Sequence, residues 1–138
     1  WPQMQEMVKS GLIEIQPHSK SHANLTVRRP GETEARYAER IRREVEAPQA
    51  AIQDKLGLAS VSFAYPYGSP WDVGRRTIAM VRELGLRDAC ANTPGQVVRG
   101  SNPYWLPRFL VRDWEGAEFD RRLRSFYRPQ PAREVARE

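Results

Sequence analysis

The sequence predicts an α/β fold in which helices cover a mostly parallel sheet, and two observations support this prediction. Short apolar, β-branched runs alternate with segments of helical periodicity, in the order helix, strand, helix, strand, helix, strand, strand, helix. The chain has 138 residues, 40% of them hydrophobic and 28% charged, which is the size and composition of one globular domain. We therefore expect one domain over residues 1–127 and a Pro/Arg-rich tail over residues 128–138.

The first half of the chain contains three predicted elements. Residues 1–11 are typical of a short helix, with a proline at the first helical position and a glycine to end it. Residues 12–16 (LIEIQ) alternate between apolar and polar side chains and predict a strand. Residues 32–56 place apolar side chains at steps of three and four, which predicts a long helix. Pro48 is expected to end or kink that helix near the residue before it.

The second half contains five further elements. Residues 61–65 (VSFAY) predict a strand that the following proline and glycine break at once. Residues 75–85 predict a helix ended by glycine, and residues 86–92 predict a strand. Residues 104–111 (YWLPRFLV) look extended, and residues 116–127 predict a last helix.

The two histidines of the chain lie four residues apart, at His18 and His22, directly after a predicted strand. On a helix or a tight turn, side chains four apart share a face, so two imidazoles can reach one cation. Imidazole suits Zn, Fe, Ni or Cu, and a catalytic zinc takes three protein ligands and a water. The spacing alone leaves two interpretations open, a metal site or a pair of capping or surface histidines.

The composition narrows the classes of partner without selecting one. The formal charge is +5, from 22 Lys+Arg against 17 Asp+Glu, which favours anionic partners or a solvated arginine-rich surface. Nucleic-acid binding is the weakest hypothesis, because no helix-turn-helix, zinc-finger or RNA-recognition signature is present. The single cysteine, Cys90, excludes an internal disulfide and lies in an apolar run typical of a buried core residue. No apolar run approaches the roughly 20 residues of a membrane span.

Three stretches of the sequence carry a resemblance to a known family. Residues 1–25 contain WPQMQEM, SGLIEI and HSKSHANL, residues 63–68 are FAYPYG, and residues 106–111 are LPRFLV. The first two stretches resemble the second and third conserved blocks of the polysaccharide deacetylases, carbohydrate esterase family 4, which share the NodB homology domain. The third resembles the late Leu-Pro-Arg segment of the branch that contains poly-N-acetylglucosamine deacetylases. The resemblance covers roughly residues 1–112.

The resemblance implies a deformed (β/α) barrel that removes acetyl groups from N-acetylated sugars with a divalent metal, usually zinc. It implies that His18 and His22 are metal ligands, and that the metal polarises the amide carbonyl and lowers the pKa of its water. It also implies that the backbone N–H of Tyr67 stabilises the tetrahedral oxyanion. Pro66 would preset the turn that presents this N–H.

The resemblance also suggests substrate contacts and partners. Pro66, Tyr67, Trp71 and Trp105 are predicted to contact the sugar, since sugar rings stack on aromatic faces, although burial in the core is the commoner fate of a lone Trp. Arg108 is predicted to orient the catalytic base in place of the arginine that many members have elsewhere, although a surface ion pair fits it equally. The implied substrates are N-acetylated polysaccharides (poly-N-acetylglucosamine, a chitin-like polymer or peptidoglycan). The usual location of these polymers implies that the protein lies outside the cytoplasm.

The sequence departs from the family pattern at three points. The family's first block, a strand ending in Thr-Phe-Asp-Asp, supplies the base and a metal ligand, and this chain has no adjacent aspartates. Ala64 stands where many members have an arginine, and no third histidine is present as a general acid. We therefore expect a partial barrel that lacks its first strands and is inactive by itself. The alternative is a non-catalytic glycan-binding relative.

Asp72 has two interpretations of its own. It lies just past the PYG turn, and the first interpretation is that its carboxylate binds the metal. An N-cap for a helix that begins near Val73 is the preferred interpretation, because aspartate is among the commonest N-cap residues.

Overall fold

The computed structural model describes residues 1–127 and contains four helices and two strands. In chain order they are α1 (Pro2–Lys9), α2 (Glu34–Leu56), β1 (Ser62–Ala64), α3 (Arg75–Glu83), β2 (Asp88–Cys90) and α4 (Gly116–Phe126). All four predicted helices are therefore confirmed within a few residues, and so are two of the four predicted strands. The predicted tail, residues 128–138, lies outside the described residues.

The two strands form a parallel pair joined by the crossover helix α3. Their register places Ser62 opposite Asp88, Phe63 opposite Ala89 and Ala64 opposite Cys90. Phe63 and Ala89 are buried, while the residues on either side are partly exposed, which is the period of two expected of a strand. The prediction of alternating helices and parallel strands is confirmed for this unit.

Two predicted strands are wrong or reduced. Residues 12–16 form no strand, because no described strand pairs with them in a ladder, and Leu12 is 87% exposed. The segment instead meets β1 through a side chain: Gln16 Oε1 accepts hydrogen bonds from the N–H groups of Val61 (3.0 Å) and Ser62 (3.1 Å). Residues 104–111 contribute one parallel bridge, from Leu106 to Cys90.

Helix α2 supplies one wall of the hydrophobic core. Its buried side chains Tyr37, Ile41 and Val45 pack in one cluster with residues of both strands and of α3. Burying one such aliphatic side chain contributes about 1.5–3 kcal/mol. The Tyr37 hydroxyl donates to the Leu25 carbonyl at 2.7 Å, in a buried position. This bond fixes the end of the loop that carries His18 and His22 (residues 17–25, the histidine loop) against the core.

Helix α2 continues through Pro48 to Leu56 and ends at Gly57, which has φ +69°. The prediction that the helix ends near Ala47 is therefore wrong. A proline inside a helix leaves the carbonyl four residues before it without its intrahelical donor. That carbonyl belongs to Glu44, and the backbone N–H of Lys20 donates to it at 3.0 Å. The lost bond is replaced from outside the helix.

Within residues 1–127, no helix combines the length and the apolar character needed to cross a membrane.

Candidate active site

The histidine loop follows residues 12–16 and lies against the carboxyl end of β1. The Ala64 N–H donates to the Pro17 carbonyl at 3.1 Å, and His18 Nδ1 lies 2.8 Å from the Ala64 carbonyl oxygen. A carbonyl oxygen only accepts, so Nδ1 carries the proton of this hydrogen bond. With Nδ1 in this bond, Nε2 is the ring nitrogen left to bind a metal.

A tight turn brings the second histidine to the first. Ser19 (φ +65°) and His22 (φ +56°) both adopt the left-handed conformation, and Ser19 Oγ accepts from the His22 N–H at 2.8 Å. The centroids of the His18 and His22 rings lie 4.8 Å apart, with an angle of 68° between the planes. Both side chains are exposed. The predicted convergence of the two histidines is present in the structure, and a turn rather than a helix produces it.

The loop after β1 places Tyr67 beside the histidines. Tyr67 (φ +60°) and Gly68 (φ +69°) are both left-handed, which is a strained conformation for tyrosine. The Tyr67 and His22 ring centroids lie 4.8 Å apart. Within residues 1–127 the Tyr67 N–H takes part in no hydrogen bond. It is therefore free to donate to a ligand.

Gly68 allows this loop to approach the loop that follows β2. The Gly68 carbonyl accepts from the Asn92 N–H at 2.7 Å, and a Cβ at position 68 would lie 2.7 Å from that nitrogen. Only glycine fits both the contact and the positive φ. Gly68 is therefore the residue that permits the sharp turn after Tyr67.

Asp72 links the loop that follows β1 to the segment that follows the histidines, and it does not cap a helix. The N-cap of α3 is Gly74, so the N-cap interpretation of Asp72 was wrong. One carboxylate oxygen accepts from the N–H (3.2 Å) and hydroxyl groups of Ser69, and the other accepts from Asn24 Nδ2 at 2.6 Å. Asn24 was missed in the sequence. Its Oδ1 accepts from the Thr26 N–H at 2.9 Å, and this local Asn-x-Thr turn is the one signal that pointed to it.

The remaining predicted residues lie around this pair of loops with different exposures. Trp71 is 88% exposed, whereas Pro66 is fully buried and Trp105 is half-buried against the core. Pro66 is therefore able to shape the turn but not to contact a ligand. Arg108 is exposed and donates through Nε to the Ala91 carbonyl at 2.9 Å. Within residues 1–127 no hydrogen bond joins Arg108 to Tyr67 or to a histidine.

The thiol of Cys90 does not extend the site. Cys90 is half-buried and free, and burial raises the pKa of its thiol. A raised pKa disfavours the thiolate that nucleophilic or metal-binding chemistry needs. Its position in β2 agrees with the predicted structural role.

The two histidines fit a divalent metal as part of a ligand set. Their nitrogens suit zinc, the hydrogen bond at His18 orients one of them, and both rings face solvent. In the described part of the chain, no group of three His, Cys, Asp or Glu residues is placed to hold a metal ion. The pair therefore fits two of the three protein ligands that a catalytic zinc needs.

Comparison with known sequences identifies the family. Residues 1–89 match the family model for polysaccharide deacetylase. The chain is also similar to poly-beta-1,6-N-acetyl-D-glucosamine N-deacetylase of Staphylococcus aureus (strain MRSA252), with 23% identity over 111 residues. The alignment covers 80% of this chain and 37% of the relative, so the chain spans well under half of that protein.

Comparison with solved structures gives the same family. The deacetylase domain of BpsB from Bordetella bronchiseptica matches with a TM-score of 0.73 and 25% identity, over 80% of this chain and 48% of that one. IcaB from Ammonifex degensii matches with a TM-score of 0.66 and 25% identity, over 82% of this chain and 48% of that one. With a family model that matches residues 1–89 of 138, the chain belongs to the polysaccharide deacetylase family.

Proposed function

We propose that the chain is part of a metal-dependent N-deacetylase that acts on an N-acetylated amino-sugar polymer, with poly-N-acetylglucosamine as the first candidate substrate. One observation carries the proposal: two imidazoles with ring centroids 4.8 Å apart lie directly beside a loop whose Tyr67 N–H is free. The similarity to a poly-beta-1,6-N-acetyl-D-glucosamine N-deacetylase supports the substrate. Chitin-like polymers and peptidoglycan carry the same acetamide group.

The proposed metal, zinc, would be held by His18 and His22. When bound, it supplies Lewis-acid polarisation of the acetamide carbonyl and a water molecule of lowered pKa. His18 presents Nε2, because Nδ1 is occupied by the Ala64 carbonyl. Tyr67 directs its backbone N–H toward the oxygen on which negative charge develops. Removing one such donor slows hydrolases about 10²–10³-fold.

The sugar would contact the exposed aromatic surface of the same loop. Trp71 is 88% exposed on a loop that Thr26 contacts, since the Thr26 hydroxyl donates to the Trp71 carbonyl at 3.3 Å. A pyranose ring presents C–H groups to such a face, so stacking there binds an uncharged sugar. Because Trp105 is half-buried, we assign the main stacking role to Trp71.

The proposed reaction needs groups that residues 1–127 do not place at the histidines. Within that range no carboxylate joins the pair in a metal-holding group, so a third protein ligand is lacking there. We therefore expect the chain to be inactive by itself, and its fold to be part of the deformed (β/α) barrel implied by the resemblance. The polymers involved lie outside the cytoplasm, and we place the protein there.

The test is acetate release from poly-N-acetylglucosamine by the chain and by a chimera. The chimera carries the Asp-Asp strand block of a poly-N-acetylglucosamine deacetylase ahead of Trp1. We expect no release by the chain, release by the zinc-loaded chimera, and none by the chimera with His22→Ala. A folded, zinc-loaded chimera that releases no acetate would contradict the proposal.

A second candidate function is glycan binding without catalysis. Two observations favour it: Trp71 is exposed on the loop that follows Tyr67, and within residues 1–127 no carboxylate joins the histidine pair in a metal-holding group. An inert chimera that still retains the polymer, and loses it with Trp71→Ala, would support this alternative.

A further inference from the structure

Among the hydrogen bonds of residues 1–127, those from the turn that carries the histidines (residues 18–22) to helix α2 all end on Glu44. Glu44 is only 8% exposed, although it is a carboxylate. Its Oε2 accepts from the Ser21 N–H at 2.8 Å, and its Oε1 accepts from the Ser21 hydroxyl at 2.7 Å. Its backbone carbonyl accepts from the Lys20 N–H at 3.0 Å. One residue of the helix thus receives three hydrogen bonds from two adjacent residues of the turn.

Pro48 makes the third of these bonds available. In an uninterrupted helix the Glu44 carbonyl would accept from the N–H of residue 48, and proline has none. The carbonyl remains free in the middle of α2 and points to a donor outside the helix. By leaving the Glu44 carbonyl without an intrahelical donor, Pro48 makes that carbonyl available to the Lys20 N–H.

Of the backbone N–H groups from Ser19 to His22, all but that of Ser19 donate a hydrogen bond within the described residues. The N–H groups of Lys20 and Ser21 go to Glu44, and the N–H of His22 goes to the Ser19 hydroxyl at 2.8 Å. Ser19 and His22, at the two ends of this stretch, hold positive φ values of +65° and +56°. Left-handed conformations in residues other than glycine persist only where surrounding contacts impose them.

A buried carboxylate is costly unless hydrogen bonds compensate it. Within residues 1–127 no Lys or Arg nitrogen lies within ion-pairing distance of Glu44, and the side-chain bonds it receives both come from Ser21. The carboxylate thus contributes to this turn and to no ion pair. The two bonds from Ser21 offset this energetic cost while the turn keeps its shape.

We infer that Glu44, with the carbonyl freed by Pro48, is the positioning residue that sets the spacing of His18 and His22 for a metal ion. The inference rests on the proposed function and adds to it a residue that neither binds the metal nor touches substrate. Outer contacts of this kind change metal affinity about 10- to 100-fold in known sites.

The experiment uses the whole chain with two measurements. The first is NMR of the two imidazoles and of the His22 HN–Hα coupling, which reports φ; only two histidines are present, so the assignment is direct. The second is Zn²⁺ affinity by titration against a chelator. The variants are Glu44→Leu, Glu44→Gln and Ser21→Ala. Glu46→Leu is the matched control, because Glu46 is an exposed glutamate on the same helix.

We expect Glu44→Leu to change the His22 coupling and to weaken zinc binding about tenfold or more. Glu44→Gln keeps an acceptor for the Ser21 N–H and should bind zinc nearly as tightly as wild type, as should Glu46→Leu. Ser21 is exposed, so Ser21→Ala should leave the chain folded. We expect it to change the His22 coupling and the zinc affinity in the same direction as Glu44→Leu, but by less. Wild-type coupling and wild-type affinity in both Glu44→Leu and Ser21→Ala would overturn the inference.

The two proposals fail differently. If the wild-type chain binds no zinc, the proposed metal site is wrong, and the NMR measurement alone decides the role of Glu44. In that case a changed His22 coupling in Glu44→Leu still supports positioning of the turn, and an unchanged coupling overturns it.

Discussion

At the scale of single residues, the site depends on backbone conformations that are uncommon for the residues that adopt them. His22 and Tyr67 are both left-handed, and their rings face each other with centroids 4.8 Å apart. The family resemblance predicted that these residues share a site, because it implied that the histidines bind the metal and that the Tyr67 N–H stabilises the oxyanion. The sequence could not predict the tautomer of His18, since that is set by the carbonyl of Ala64, which lies 46 residues away.

Gly68 provides a direct test of the loop geometry at this scale. We predict that Gly68→Ala lowers the free energy of unfolding by more than about 3 kcal/mol, because it adds a steric clash to a left-handed backbone. The added Cβ would lie 2.7 Å from the Asn92 nitrogen. Gly57→Ala is the matched control: its φ is +69°, and a Cβ there meets nothing within 4 Å. It should cost only about 1–2 kcal/mol in urea unfolding. Equal losses in the two variants would contradict the close approach.

At the scale of elements, the helices could be predicted from the sequence and the sheet only in part. A helix forms its hydrogen bonds within one segment, so the periodicity of residues 32–56 was sufficient to predict α2. A strand forms them with a partner, and residues 12–16 have none among the described strands. The continuation of α2 through Pro48 was also unpredictable, because it depends on the distant Lys20 N–H.

An ion pair fixes the start of helix α2 and gives a prediction about pH. Arg40 Nε lies 2.7 Å from Glu32 Oε1, and this hydrogen bond is the main cause that lowers the pKa of Glu32 from 4.5 to about 2. The folded state therefore binds fewer protons than the unfolded chain between these values. The pair's contribution is fully present above pH 4.5 and is lost as the pH falls toward 2.

We predict that Glu32→Gln reduces the loss of stability between pH 5 and pH 2, measured by urea unfolding at several pH values. Glu39→Gln is the control, because Glu39 forms an exposed pair with Arg43 on the same helix and such pairs contribute little. The prediction fails if Glu32→Gln and wild type lose stability in parallel over this range.

At the scale of the whole molecule, the net charge of +5 favours anionic partners, whereas the proposed substrate is uncharged. Poly-N-acetylglucosamine is uncharged, so its binding should depend on aromatic contact and little on salt. Nucleic-acid binding would weaken steeply with salt through counterion release. The salt dependence of binding therefore distinguishes an uncharged sugar ligand from a nucleic acid.

We predict that a β-1,6-linked N-acetylglucosamine oligomer binds with nearly the same affinity at low and high salt, as measured by calorimetry. Trp71→Ala should weaken this binding by about 1 kcal/mol, roughly fivefold, through loss of the stacking face. Trp1→Ala is the control, because Trp1 is 47% exposed but lies outside the site loops. Affinity that falls steeply with salt, or is unaffected by Trp71→Ala, would argue against the sugar site.

The zinc stoichiometry of the wild-type chain and of the double variant His18→Asn with His22→Ala tests the proposed metal site most directly. Asparagine places an amide N–H near the position of Nδ1, so it keeps the bond to the Ala64 carbonyl and removes Nε2. We predict one zinc ion per wild-type chain, and at least about tenfold weaker binding in the double variant, with an unchanged thermal midpoint in the absence of metal. Equal zinc binding by the wild-type chain and the double variant would contradict the account.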